Sequence, residues 1–175
     1  MSKSFFLFIL ALLIVGCINR SNSIGCNDKH TESYIIQRID SIYGRFTNPT
    51  YDMNGKRILN HRYNYDSVFC SSRYNALLNR ADELSNDEDY LFDYDHWTNS
   101  QDPEDFTCNV GKIENITDST ATVVLNASNW GEKYTVTLCL YYEKDNWYVD
   151  DFISKYGFKS EKEYLRDYIR RHTDK

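Results

Sequence analysis

Apolar side chains recur at Ile35, Ile39, Ile42 and Phe46. That i, i+4, i+7, i+11 stripe predicts an amphipathic helix over 28–46. Asn48-Pro49 stops it, because a residue before proline is pushed out of the helical region. Residues 51–60 carry Asn54-Gly55 and read as a loop. A second helix is predicted over 65–84, with Cys70, Tyr74, Leu77, Ala81 and Leu84 on one side and Arg73, Asn79, Arg80 and Asp82 on the other.

From Phe106 onward the period falls to two. Phe106, Cys108 and Val110 alternate with polar residues, as do Ala121, Val123, Leu125 and Ala127, and then Tyr134, Val136, Leu138, Leu140 and Tyr142. A last strand, 147–152, follows Lys144-Asp145-Asn146. Short connections make consecutive hairpins, so the sheet should be antiparallel. Ser160 and Glu163 have capping-box spacing ahead of Tyr164, Leu165, Tyr168 and Ile169, which predicts a short C-terminal helix. The expected fold class is α+β: N-terminal helices packed on a curved four-stranded antiparallel sheet, closed by that helix.

The N-terminus is an address rather than part of the fold. Lys3 precedes an eleven-residue apolar run, Phe5 to Val15. A spanning helix needs roughly 20 residues, so the run reads as a signal-peptide core. Ile14-Val15-Gly16-Cys17 resembles the bacterial lipobox, which implies that Cys17 is acylated and becomes the mature N-terminus. The expected organisation is a signal peptide over 1–16, a lipidated tether over 17–27 and one domain over 28–175. Two or more acyl chains anchor stably, and the polar residues after Cys17 favour an outer-membrane protein facing the periplasm.

The chain has 175 residues, 20 Lys+Arg against 26 Asp+Glu, and a formal charge of -6. That balance argues against a nucleic-acid partner, which would need a basic face. Hydrophobic residues make up 41%, too many for a disordered chain. Beyond Cys17 the cysteines are Cys26, Cys70, Cys108 and Cys139, in a compartment where disulfides can form. Three pairings are open, as are free buried thiols. No cysteine or histidine spacing has the form of a zinc site, and no cofactor motif occurs.

The two helices, Asp93-x-Asp95-x-Trp97 with Gln101-Asp102 behind it, and the closing Trp147-Tyr148-Val149-Asp150-Asp151-Phe152 resemble the uncharacterised domain-of-unknown-function family 3828, over about residues 30–155. That resemblance implies an NTF2-like cone and no particular activity. His96 stands where the family tends to have proline.

Five constellations have a chemical reading. Ten carboxylates and no Lys or Arg lie between Arg80 and Lys112. Asp93, Asp95 and Asn99 start like a calcium loop, but Trp97 and the missing glycine spoil the match. A solvated loop is the plainer reading. His96 beside these acids could form an acid–base set. Asp150 and Asp151 should point to opposite faces of their strand. Tyr141, Tyr142, Trp147 and Tyr148 put aromatic rings on both sheet faces, which together with Trp97 and Trp130 suggests a ligand cavity or a partner surface. Asp-Ser triplets at Ser41, Ser67 and Ser119 resemble bacterial O-glycosylation acceptors, with Ser119 expected to be exposed. The function expected is a binding module for a protein partner or small ligand. Alternatives are an immunity or inhibitor lipoprotein against a basic effector, and a small NTF2-like enzyme.

Overall fold

A computed structural model of the chain describes residues 28–47, 53, 64–85, 91–153 and 160–173. The leader, Cys17, Cys26, the Asn48-Pro49 stop, nearly all of the 51–60 loop and the acids at 87–89 lie outside the described residues. Helix α1 spans Glu32–Thr47. Thr31 opens it, its hydroxyl accepting the Tyr34 N–H at 3.3 Å. The predicted stripe is the buried one: Ile35, Ile39 and Ile42 are at most 1% exposed.

The single helix expected over 65–84 is in fact two, α2 (Tyr65–Phe69) and α3 (Ser72–Leu84). Cys70 and Ser71 leave the helical region because they pair with the sheet: Cys70 forms a parallel bridge with Val149, and the Ser71 N–H donates to the Val149 carbonyl at 2.7 Å. The Ser71 hydroxyl then accepts the Tyr74 N–H and restarts the helix. The break therefore covers the edge of the last strand, an edge that would otherwise offer unpaired backbone groups.

The sheet holds β1 (Thr107–Glu114), β2 (Thr120–Asn129), β3 (Glu132–Glu143) and β4 (Asn146–Ile153) in sequential antiparallel order. Val123, Leu125, Val136, Leu138 and Leu140 are at most 2% exposed and face the helices. Each contributes on the order of 2 kcal/mol by leaving water. Two-residue turns join the inner hairpins, Trp130-Gly131 and Lys144-Asp145, and all four residues have positive φ. That is the type I′ geometry whose twist suits a hairpin.

Two β-bulges interrupt the register, at Gly111 in β1 and at Asp150 in β4. The second lets Val149 and Phe152 both face inward. Helix α4 (Glu161–Thr173) packs against α3 and β4. The Ser160 hydroxyl accepts the Glu163 N–H at 3.1 Å, as the capping spacing predicts. Cys70, Cys108 and Cys139 are free thiols. Burial pushes Cys108 up to about 12 and raises the other two, so these thiols behave as small apolar residues rather than nucleophiles. Among the described residues no helix is long and apolar enough to cross a membrane.

Candidate functional site

The segment from Leu91 to Phe106 has almost no regular structure, yet its middle is buried: Trp97, Thr98 and Asn99 are at most 4% exposed. A buried irregular segment must find partners for its backbone. Tyrosines supply them. Tyr43 donates to the Trp97 carbonyl at 2.9 Å and Tyr134 to the Thr98 carbonyl at 2.7 Å. Asp95 and Ser100 exchange backbone hydrogen bonds, which closes the loop between them.

His96 projects from this loop into a charged cluster. Its Nε2 lies 2.9 Å from Asp66 Oδ1 and its Nδ1 lies 3.6 Å from Glu161 Oε2. Asp66 also accepts the Trp97 indole N–H at 2.8 Å. Glu161, fully buried, accepts hydroxyl hydrogen bonds from Tyr74 at 2.8 Å and Tyr94 at 2.7 Å. It stands in the first turn of α4, where the helix dipole favours negative charge. Phe152 stacks on the imidazole, centroid to centroid 4.4 Å.

Burial alone would lower the His96 pKa. The hydrogen bond to Asp66 and the charge of Glu161 outweigh it, and the imidazole is held at about 9. Asp66, which burial would raise, is pulled below the usual carboxylate range by His96 and Trp97. Glu161 is raised by burial. His96 therefore keeps its proton at neutral pH, paired with Asp66 and beside Glu161. The acids adjacent in sequence are not its partners. Asp93 is exposed, and Asp95 turns back to accept the Trp97 N–H at 2.8 Å. Among the described residues no three His, Cys, Asp or Glu side chains are placed to hold a metal ion.

A second charged knot lies at the β4 bulge. Asp150 accepts from both Nε and Nη2 of Arg73 at 2.6 Å, from Lys162 Nζ at 2.7 Å and from the Ser71 hydroxyl at 2.6 Å. Asp151 accepts from the Ser160 hydroxyl at 2.6 Å and from the Lys162 N–H at 3.1 Å. The expectation that these acids serve opposite faces does not hold. The bulge places one against α3 and both against the start of α4.

The aromatic residues divide between core and rim. Trp147 is fully buried and Trp97 4% exposed, and Tyr142 packs on Trp147 at 5.2 Å. On the other sheet face Tyr141 and Tyr148 are half-buried. The Arg73 guanidinium covers the Tyr141 ring at 3.6 Å and that of Arg38 lies 5.6 Å from the Tyr148 ring. Ser41, Ser67 and Ser119 are all exposed, so exposure does not single out Ser119.

The aromatic residue that stands out is Trp130, 63% exposed, with φ +52 at the first position of its turn. Such a position favours Asn or Gly and strains a bulky residue. It borders a groove of about 320 Å³ lined also by Ser100, Gln101, Asp102, Asn129 and Glu132. Asn129 is 7% exposed and its Nδ2 donates to the Ser100 hydroxyl at 2.8 Å and the Asp102 carbonyl at 2.6 Å. A carbonyl can only accept, so the amide orientation is fixed. Oδ1 is left without a hydrogen-bond partner, at a cost of about 1–3 kcal/mol. The signal for this site was present in the sequence as Trp-Gly in a two-residue hairpin loop.

Compared with protein-family models, curated proteins and solved structures, the chain matches none.

Proposed function

We propose that this chain is a lipid-anchored envelope protein whose α+β domain binds a partner at the Trp130 end of the sheet and carries out no chemistry. The fold is read as an NTF2-like cone, a reading supported by helices packed on a meander whose register two β-bulges interrupt. One observation carries the binding reading. A large aromatic side chain is held exposed at a strained backbone position beside a groove, and local strain of this kind collects at functional positions.

The enzymatic reading is weaker for a stated reason. His96 keeps its proton, paired with Asp66, and Glu161 is enclosed by two tyrosine hydroxyls. Neither is poised to exchange a proton with a substrate at neutral pH. The buried charges tie α2, the 91–106 segment and α4 together.

The partner reading is tested by placing a photo-crosslinking residue at exposed Gln101, beside an intact Trp130, in cells, with one at exposed Thr135 as control. A discrete adduct from 101 and none from 135 supports the site; equal adducts, or none, refute it. The anchor is tested separately: Cys17→Ala should release the protein from the membrane fraction, and continued association would refute lipidation.

A further inference from the structure

We infer that Arg38, at the outer edge of β4, anchors a carboxylate-binding site. It shares no residue with the Trp130 groove, so it stands or falls independently of the reading above.

The strand order leaves one side of β4 without a strand neighbour. Two groups from the helical layer answer its outward carbonyls: the Ser71 N–H donates to Val149 at 2.7 Å, and Arg38 Nε donates to Trp147 at 3.1 Å. That bond uses one of the five guanidinium N–H donors, and those on Nη1 and Nη2 have no acceptor. Capping a carbonyl needs one donor and no charge, so the cap alone does not account for a cation here. Among the described residues, the lysines and arginines drawn back from the surface are Lys29, Arg38 and Lys162. Lys29 pairs with Asp145 and Lys162 with Asp150, whereas Arg38 has no acid. Its partial burial lowers its pKa, and among the described residues only the phenols of Tyr148 and Tyr34 oppose that.

The spare donors reach water. Among the described residues the enclosed side-chain polar atoms without a partner are Asn99 Oδ1 and Asn129 Oδ1, so the Arg38 Nη atoms are open to a ligand. Two neighbours add donors. Asn146 Oδ1 accepts the Tyr34 hydroxyl at 3.3 Å and the Trp147 N–H at 2.8 Å, which leaves Nδ2 as a donor with no partner. Tyr148, whose ring lies 5.6 Å from the guanidinium, also has an unengaged hydroxyl.

A group of donors around one cation calls for an anion, and its form selects which. With Nε engaged, the open part is the Nη1/Nη2 fork, whose paired N–H groups match the two oxygens of a carboxylate. The guanidinium lies against the Phe69 and Tyr148 rings, 5.5 and 5.6 Å from their centroids. Flat walls suit a planar acid group better than a tetrahedral one. One guanidinium also balances one negative charge; no second cation of the described residues acts on it, as a phosphate dianion would require. A free carboxylic acid and the acidic side chain of a peptide share this chemistry, and the test separates them.

The test uses the full-length chain in detergent, with the Arg38 Nε–H resonance and the Tyr148 ring signals as reporters. The probes are benzoate with neutral benzamide, acetyl-Gly-Glu-Gly-amide with its glutamine counterpart, and inorganic phosphate. At least one acid should shift both reporters, binding about tenfold tighter than its neutral counterpart and weakening as salt is raised. Arg38→Lys keeps the charge and loses the fork, so acid binding read at Tyr148 should fall about tenfold. Tyr148→Phe keeps the ring and should weaken binding without removing it.

Preference for benzoate identifies a free acid and preference for the glutamate peptide an acidic side chain; either supports the inference. Equal responses to each acid and its neutral counterpart, tighter binding of phosphate than of either acid, undiminished acid binding by Arg38→Lys, or no response to any acid overturns it. Should Arg38→Lys fail to fold, the probe comparison on the wild-type chain and on Tyr148→Phe still decides.

Discussion

Replacing Asp66 by Asn tests whether the His96 cluster is an ion-paired tie, because the amide keeps an acceptor for the Trp97 indole and removes only the charge. The imidazole midpoint rises from 6.5 to about 9 on folding, which corresponds to about 3 kcal/mol of stability at pH below 6.5. Asp66 lies at 2.9 Å from the ring and Glu161 at 3.6 Å, so Asp66 should account for the larger share, about 2 kcal/mol. The sign follows from the direction of each shift. His96 is raised, so its contribution is complete below pH 6.5 and disappears as pH rises through about 9. Asp66 is lowered, so its contribution is present above its ordinary 3.8 and disappears as pH falls below that value. The stability gap between wild type and Asp66→Asn should therefore be widest between about pH 4 and pH 6.5 and close on both sides. Urea unfolding between pH 3 and pH 10, followed by circular dichroism, measures the gap, and the His96 ring proton should titrate lower in the variant. A gap that stays constant or widens above pH 9 would show that the cluster is not held by charge.

Three further substitutions probe other parts of the argument. Asp150→Ala strands Lys162 and Arg73, whose side chains are 10% and 48% exposed, and should cost about 3–5 kcal/mol in urea unfolding; a loss below 1 kcal/mol would mean the knot is not a unit. Trp130→Asn relieves a left-handed position and should raise stability by up to about 1 kcal/mol, and a lower thermal midpoint would contradict the strain argument. Ser71→Ala removes the cap of α3 together with a hydrogen bond to Asp150 and should cost about 1–2 kcal/mol, more than capless variants elsewhere on the surface.

Much of the fold was legible because it depends on local periodicity. The stripe Ile35, Ile39, Ile42 and the alternation through Val123, Leu125, Val136 and Leu138 each report a face, and each face is the buried one. What was hidden depended on residues far away. The chain breaks at Cys70-Ser71 because Val149, nearly eighty residues on, offers a carbonyl there. Nothing in the local pattern outweighs a continuous helical stripe. His96 illustrates the same limit. Its sequence neighbours Asp93 and Asp95 suggested an acid–base set, while its partners come from α2 and from the first turn of α4. Asp150 and Asp151 were misread because alternation assumes an unbroken pleat, and a bulge sits at Asp150.

Several of the tyrosines and the acidic stretch between Arg80 and Lys112 meet in the core. An irregular segment enters a core only if its backbone groups are answered there, and in this chain phenol hydroxyls take part: Tyr43 and Tyr134 donate to carbonyls of the loop, and Tyr74 and Tyr94 donate to Glu161 of α4, which faces His96. A hydroxyl donates without adding charge, so these ties leave the imidazolium of His96 as the cation of that cluster. Further along the segment, at Asp102, the chain leaves the interior beside the exposed ring of Trp130.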